Sequence, residues 1–168
     1  MIDQAFKNKV AAIKKQVGEK AGAIGIYRFT LENPDGSKEI KYYHNIITTV
    51  AFAMILNNIT DPTPDNDMLA SHIALGTDDT VVLIADTTLG TETYRNAVAS
   101  MTSASNIAYI TGFFSQTECD GTYKEAGIFS DGAAGADTGI LLSHVNIDVV
   151  KSAVQKLTID YTITLANA

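Results

Sequence analysis

The residues of this chain that could do chemistry are few and scattered. The three histidines, His44, His72 and His144, lie far apart in strand-like or strand-edge sequence. None stands at a metal-ligand spacing from another donor, so a metal site would have to be assembled from all three in space. Asp65-Asn66-Asp67 has the start of a calcium-loop alternation, but no glycine or glutamate follows at the required offsets, and it reads as a solvated loop. The single cysteine, Cys119, sits between Glu118 and Asp120. That negative charge raises a thiol pKa and disfavours a reactive thiolate, and one cysteine cannot form an intrachain disulfide. No serine occupies a nucleophile elbow, and neither Gly76-Thr77 nor Gly90-Thr91 belongs to a phosphate loop. Tyr42-Tyr43 could stack on a sugar, but there is no tryptophan, and strand aromatics more often pack across strands.

Two charged residues stand out because they interrupt apolar strands. Glu125 lies in Tyr123-Lys-Glu-Ala-Gly-Ile-Phe129, and Arg95 ends Leu89-Gly-Thr-Glu-Thr-Tyr-Arg95. A strand carboxylate close to a core needs a partner, and arginine offers a bidentate one. The expectation is a structural ion pair between Arg95 and Glu125. A catalytic acid is disfavoured, because no second acid or nucleophile is placed with Glu125.

The elements that must position these residues are mostly strands. Gly25 to Glu32 alternates in polarity, Asn33-Pro-Asp-Gly36 is a turn, and Ser37 to His44 returns, which makes a hairpin. Met68 to Thr77 reads as a central strand. Leu89 to Ser103 reads as one long strand pairing with Ile107 to Thr117, and Asp120-Gly121 turns the chain into Thr122 to Ser130. Asp131 to Gly139 is a Gly/Ala-rich loop. Ile140 to Val150 and Lys156 to Leu165 follow as strands, the second with strict alternation. Two stretches have helical character. Residues 3–17 place Phe6, Val10, Ile13 and Val17 at helical spacing among lysines. Thr48 or Thr49 can cap Val50 to Leu56, which is apolar nearly all round and should be largely buried. The expected fold is mainly β: an antiparallel sandwich or compact barrel of about seven to nine strands with one buried helix and a flanking N-terminal helix. Residues 1–20 form the helical segment, which either packs on its own domain or docks on a neighbouring subunit. Residues 21–168 form the β-rich domain.

With 168 residues the chain is one domain by length, and no apolar run is long enough for a membrane helix. The start has no apolar signal core, so folding in a cytosol is expected. Net charge is −7, unevenly spread: residues 1–20 hold five lysines against two acids, and the remainder holds seven basic and seventeen acidic residues. So acidic a body repels phosphate backbones and excludes it as a direct nucleic-acid binder.

In order, the chain presents a strand ending Leu75-Gly76-Thr77, then Leu89…Glu92…Tyr94-Arg95, then Glu125-Ala-Gly-Ile-Phe129, then the terminal Leu157-Thr-Ile159 strand. This order, from about His44 to Leu165, resembles the N-terminal domain of phage tail-collar fibres and related small tail-fibre, baseplate or head-decoration proteins. The resemblance implies a non-enzymatic virion subunit for attachment or assembly, made in the bacterial host cytoplasm. It implies a homo-oligomer, most simply a trimer, partnered by other virion proteins, with no cofactor. The chain departs from long fibres in ending at Ala168 without a shaft, which raises capsid decoration as the alternative. A carbohydrate-binding adhesin module is a third reading.

Overall fold

The computed structural model describes residues 4–17 and 22–166. After helix α1 (Gln4–Val17) come strands β1 (Gly22–Glu32), β2 (Lys38–His44) and β3 (Ile46–Ile47). Helix α2 (Thr49–Thr60) follows, then β4 (Ala70–Gly76), β5 (Glu92–Ala97) and β6 (Ser100–Ala104). The last four strands are β7 (Ile107–Phe114), β8 (Gly121–Ser130), β9 (Ile140–Lys151) and β10 (Lys156–Ala166). They form two five-stranded antiparallel sheets, ordered β2-β1-β10-β7-β6 and β3-β9-β8-β4-β5. The fold is therefore a mainly-β sandwich, as the alternation in the sequence requires.

The core lies between the sheets. Tyr27, Phe29, Leu31, Ile110, Phe114, Leu157, Ile159 and Tyr161 come from the first sheet, and Ile73, Leu75, Ala126, Ile128, Val145, Ile147 and Val149 from the second. Burial of such side chains supplies the dominant favourable free energy, about 25 cal/mol for each Å² of apolar surface removed from water. Two polar bridges cross this core. Tyr27 Oη lies 2.5 Å from Ser143 Oγ, and Asn45 Nδ2 donates to Tyr161 Oη at 3.3 Å. Cys119 is buried, and burial pushes its thiol up to about 12.

Three expectations need correction. The stretch Leu89–Ser103 is not one strand. It breaks at Val98-Ala99, and β5 and β6 belong to different sheets. The Val98 amide bonds Ser71 O on the second sheet while the Ala99 amide bonds Thr111 O on the first, so the chain changes layers within two residues. Helix α2 is buried by one face only. Ala51 and Met54 are enclosed, whereas Phe52, Leu56 and Ile59 are exposed, because a single sheet covers the helix from one side. Finally, alternation in β10 predicts that Leu157, Ile159, Tyr161, Ile163 and Leu165 face in and Thr158, Asp160, Thr162 and Thr164 face out. Asp160, Thr162 and Thr164 are instead buried together with Leu157, Ile159 and Tyr161, while Leu165 is exposed. The outer face of β10 is next to the register partners Ile24, Ile26 and Arg28 on β1, where Phe6 of α1 packs with Ile24, Ile26 and Tyr42.

Phe6 is thus buried on its own chain, stacked 5.8 Å from Tyr42, with the Arg28 guanidinium 4.7 Å from its ring centroid. The side chains of Val10, Ile13 and Val17, the remainder of the proposed docking stripe, lie outside the described residues.

Gly127 marks a close approach on the outer face of the second sheet. A Cβ there would lie 2.7 Å from Leu141 Cδ1, 3.0 Å from Leu89 Cδ2 and 3.1 Å from the Ser143 carbonyl. Gly127→Ala is expected to lower stability by about 1–3 kcal/mol through overpacking, measured by urea unfolding. An unchanged midpoint would show that Leu89 yields freely.

Candidate functional site

Strand β8 delivers Glu125 to the outer face of the second sheet, where the segment 77–91 folds over it. The ends of that segment meet: the Thr77 amide bonds Thr91 O at 3.0 Å, which closes an Ω-type loop. Glu125 is 1% exposed, and both carboxylate oxygens are filled. Oε1 accepts from the Thr91 amide at 2.7 Å and the Asp78 amide at 3.3 Å. Oε2 accepts from the Gly90 amide at 2.8 Å and meets His144 Nε2 at 2.9 Å. The glycines of the two Leu-Gly-Thr segments make this possible. A Cβ on Gly76 would collide with Glu125 Oε1, and one on Gly90 would collide with the Asp78 carboxylate.

His144 on β9 continues the chain of contacts. Its Nδ1 lies 2.8 Å from Asp86 Oδ2, and that oxygen also accepts the Leu83 amide at 2.8 Å. Asn146, two residues on and on the same face, accepts the Val82 amide at 3.1 Å and donates to Thr80 O at 2.7 Å. The loop is therefore fastened to the sheet through Glu125, His144 and Asn146.

The electrostatics follow from this geometry. Burial pulls the His144 imidazole down, but hydrogen bonds and charge from Glu125 and Asp86 outweigh it and hold the pKa above its ordinary value. Burial pushes the Glu125 carboxyl up, and the His144, Thr91 and Gly90 donors outweigh it, leaving the pKa below the usual glutamate value. A carboxylate on each side makes both ring nitrogens donors, so the imidazolium is the form this site selects. In that state neither nitrogen offers a lone pair to a metal or to a substrate proton. The arrangement can hold charge and fix a loop. A cleft of about 420 Å³ beside it is lined by loop residues including Leu83, Asp86 and Thr88, but no nucleophile is bonded to His144.

The expected Arg95–Glu125 pair is not formed. Arg95 Nε lies 2.5 Å and Nη2 2.6 Å from the two oxygens of Glu92, three residues earlier on β5. Both side chains are buried. In register, Arg95 opposes Ala74 and Glu125 opposes Gly76 on the two sides of β4, so the intervening strand separates them. Arg95 instead stacks 4.6 Å from the Phe129 ring centroid, and its Nη1 donates at 3.0 Å to Ala133 O, Thr138 O and Thr138 Oγ1. The Asp137 amide donates to Glu92 Oε2 at 3.1 Å. Arg95 and Glu92 thereby anchor the Gly/Ala-rich loop 131–139.

Sequence reasoning singled out Glu125 and Arg95 as charges interrupting apolar strands, left their burial open and missed all their partners. Glu92, His144 and Asp86 carry no local signal, because register and loop closure bring them in. A second missed pair is Arg28 with Asp160, direct partners across β1 and β10, with Arg28 Nη2 2.7 Å from Asp160 Oδ2 and Thr111 Oγ1 donating to Asp160 Oδ1 at 2.9 Å. The alternation of β1 and β10 treats both as outward-facing. His44 and His72 stay apart from His144 on β2 and β4, and no group of three or more His, Cys, Asp or Glu among the described residues is arranged to hold a metal.

Two tests follow. His144, with its pKa raised by folding, contributes stability that is fully present below its unfolded value, about 6.5, and is lost as pH rises through the folded value. Glu125, depressed by folding, contributes stability that is present above its unfolded value and lost as pH falls through the folded one. Thermal melts across pH should show the alkaline loss in the wild type, and His144→Gln should flatten it; an identical alkaline slope in both would exclude His144 as its source. Arg95→Met strands the Glu92 carboxylate and is expected to cost about 3–5 kcal/mol, with faster amide exchange across 131–139. The double variant Arg95→Met/Glu92→Gln should lose less than the sum of the singles.

Set against family models, curated proteins and solved structures, the chain matches none in any of the three comparisons.

Proposed function

We propose that this chain is a non-enzymatic structural subunit of a bacteriophage particle, of the tail-fibre or baseplate class, working in attachment or assembly. The reading rests on the order of motifs that resembles tail-collar proteins. One structural observation supports it: Leu75-Gly76-Thr77, Leu89–Arg95 and Glu125–Phe129 lie on the adjacent strands β5, β4 and β8 and in the loop above them. There their polar groups bond one another: Glu125 takes the amides of Gly90 and Thr91, and Glu92 takes Arg95. The three motifs are then explained by holding one loop-and-sheet joint together, which is a structural duty. The partners of such a subunit are other virion proteins and further copies of itself, a trimer being the simplest assembly.

Capsid decoration is the second reading, favoured by the acidic body of residues 21–168 with its seventeen acidic and seven basic residues. An antibody raised against the purified chain, applied to phage particles released by the bacterium that encodes it, tests both. Gold label at the tail or baseplate is the expected result. Label over the head moves the assignment to decoration, and a chain recovered only outside particles contradicts both readings.

A further inference from the structure

Helix α2 and the loop above Glu125 together expose an uncharged apolar surface. Phe52, Leu56 and Ile59 follow one another at helical spacing on the solvent side of α2 and are 42%, 62% and 74% exposed. The Thr49 amide bonds Ile84 O at 2.7 Å, so the loop lies against the first turn of that helix. Ile84, Leu83 and Val81 are 63%, 58% and 79% exposed there. The other large exposed apolar residues are spread over several elements: Ile40 on β2, Met68 and Leu69 before β4, Met101 on β6, Phe113 on β7, Val150 on β9, Val154 and Leu165. Phe52, Leu56, Ile59, Val81, Leu83 and Ile84 together expose on the order of 600 Å², at or above the largest patch of an ordinary monomer and close to one partner's share of a standard interface.

The surface also lacks charge. No Asp, Glu, Lys or Arg occurs from Asn45 to Thr60 or from Thr80 to Ala85, and Asp86 is engaged by His144 and the Leu83 amide. In a chain of net charge −7, such a region is where two copies can meet without opposing like charges. Beside the ridge Phe52-Leu56-Ile59, the same helix borders a groove of about 330 Å³ lined by Val50, Ala53, Met54, Asn57, Asn66 and Ile140, again without charge. Ridge and groove on neighbouring sides of one helix allow each copy to give one and receive the other.

We infer that α2 and the loop segment 81–84 form the surface through which copies of this chain associate. The occupant is a second copy, whose Phe52-Leu56 ridge enters the groove beside α2. This stands whether or not the chain belongs to a virus particle. Because the contact is apolar and its surroundings are acidic, association should tighten as salt rises.

Sedimentation of the purified chain at about 50 µM, where a useful interface should be occupied, is expected to give a multiple of 17.9 kDa, with more association in 0.5 M than in 0.05 M sodium chloride. Leu56→Lys and Ile84→Lys, both at exposed positions, should weaken association at least about tenfold, leaving the melting temperature of the monomer intact. Ile40→Lys on β2 should leave the mass of the assembly unchanged. A wild type that stays at 17.9 kDa, or variants that associate like the wild type, would overturn the inference. So would association that weakens with salt, since that points to the basic N-terminal segment meeting an acidic face. Binding of a monomeric wild type to neutral phosphatidylcholine vesicles would overturn it too, by identifying a lipid surface as the occupant.

Discussion

The carboxylate of Glu125 is the constraint around which the second sheet is arranged. A buried anion costs several kcal/mol to desolvate, and only complete coordination makes it tolerable. Three backbone amides and one imidazole provide that coordination. Each amide belongs to the segment 77–91, so satisfying the charge and closing the loop are the same event. Gly76 and Gly90 are glycines because the carboxylates of Glu125 and Asp78 fill the space their side chains would take. Leu89, carried in by the loop, then seals Phe129 and Leu141 from water. Sheet, loop and charge thus depend on one another, and neighbouring polar groups act cooperatively in such a network.

The same logic recurs twice. Arg95 with Glu92 fixes the loop 131–139 to β5. Arg28 with Asp160 sits under Phe6 of α1, so the chain's two arginines are each paired with a buried carboxylate and faced by an aromatic ring. Guanidinium suits that position, being planar, permanently charged and weakly hydrated. Buried charge in this protein holds loops and a helix in place, while the outer face of α2 carries none.

Much of this was legible in the sequence. Alternation found the β1–β2 hairpin and the terminal strand, and helix-forming residues together with a capping threonine found α2; Thr48 Oγ1 does accept the Ala51 amide. Odd charges in apolar strands marked Glu125 and Arg95. What escaped was everything decided by non-local geometry. Two residues, Val98 and Ala99, move the chain between sheets without any turn signature. His144 looked like any strand histidine until β9 placed it beside Glu125, and Asp86 looked like a loop acid. The pairing of Arg95 with Glu125 failed because β4 lies between their strands, a fact of strand order that periodicity does not encode. The one-sided burial of α2 was missed for a like reason, since an apolar helix reads as buried whether its outer face meets its own core or another molecule.

The central claim is that Glu125 is a structural anion held by a protonated His144. Nitrogen-15 NMR of the imidazole side chains, followed across pH, tests it directly. The account predicts that one histidine, removed by His144→Gln, titrates above the ordinary value of about 6.5, with both ring nitrogens protonated below that point. A His144 that loses its proton at or below the ordinary value would contradict the account.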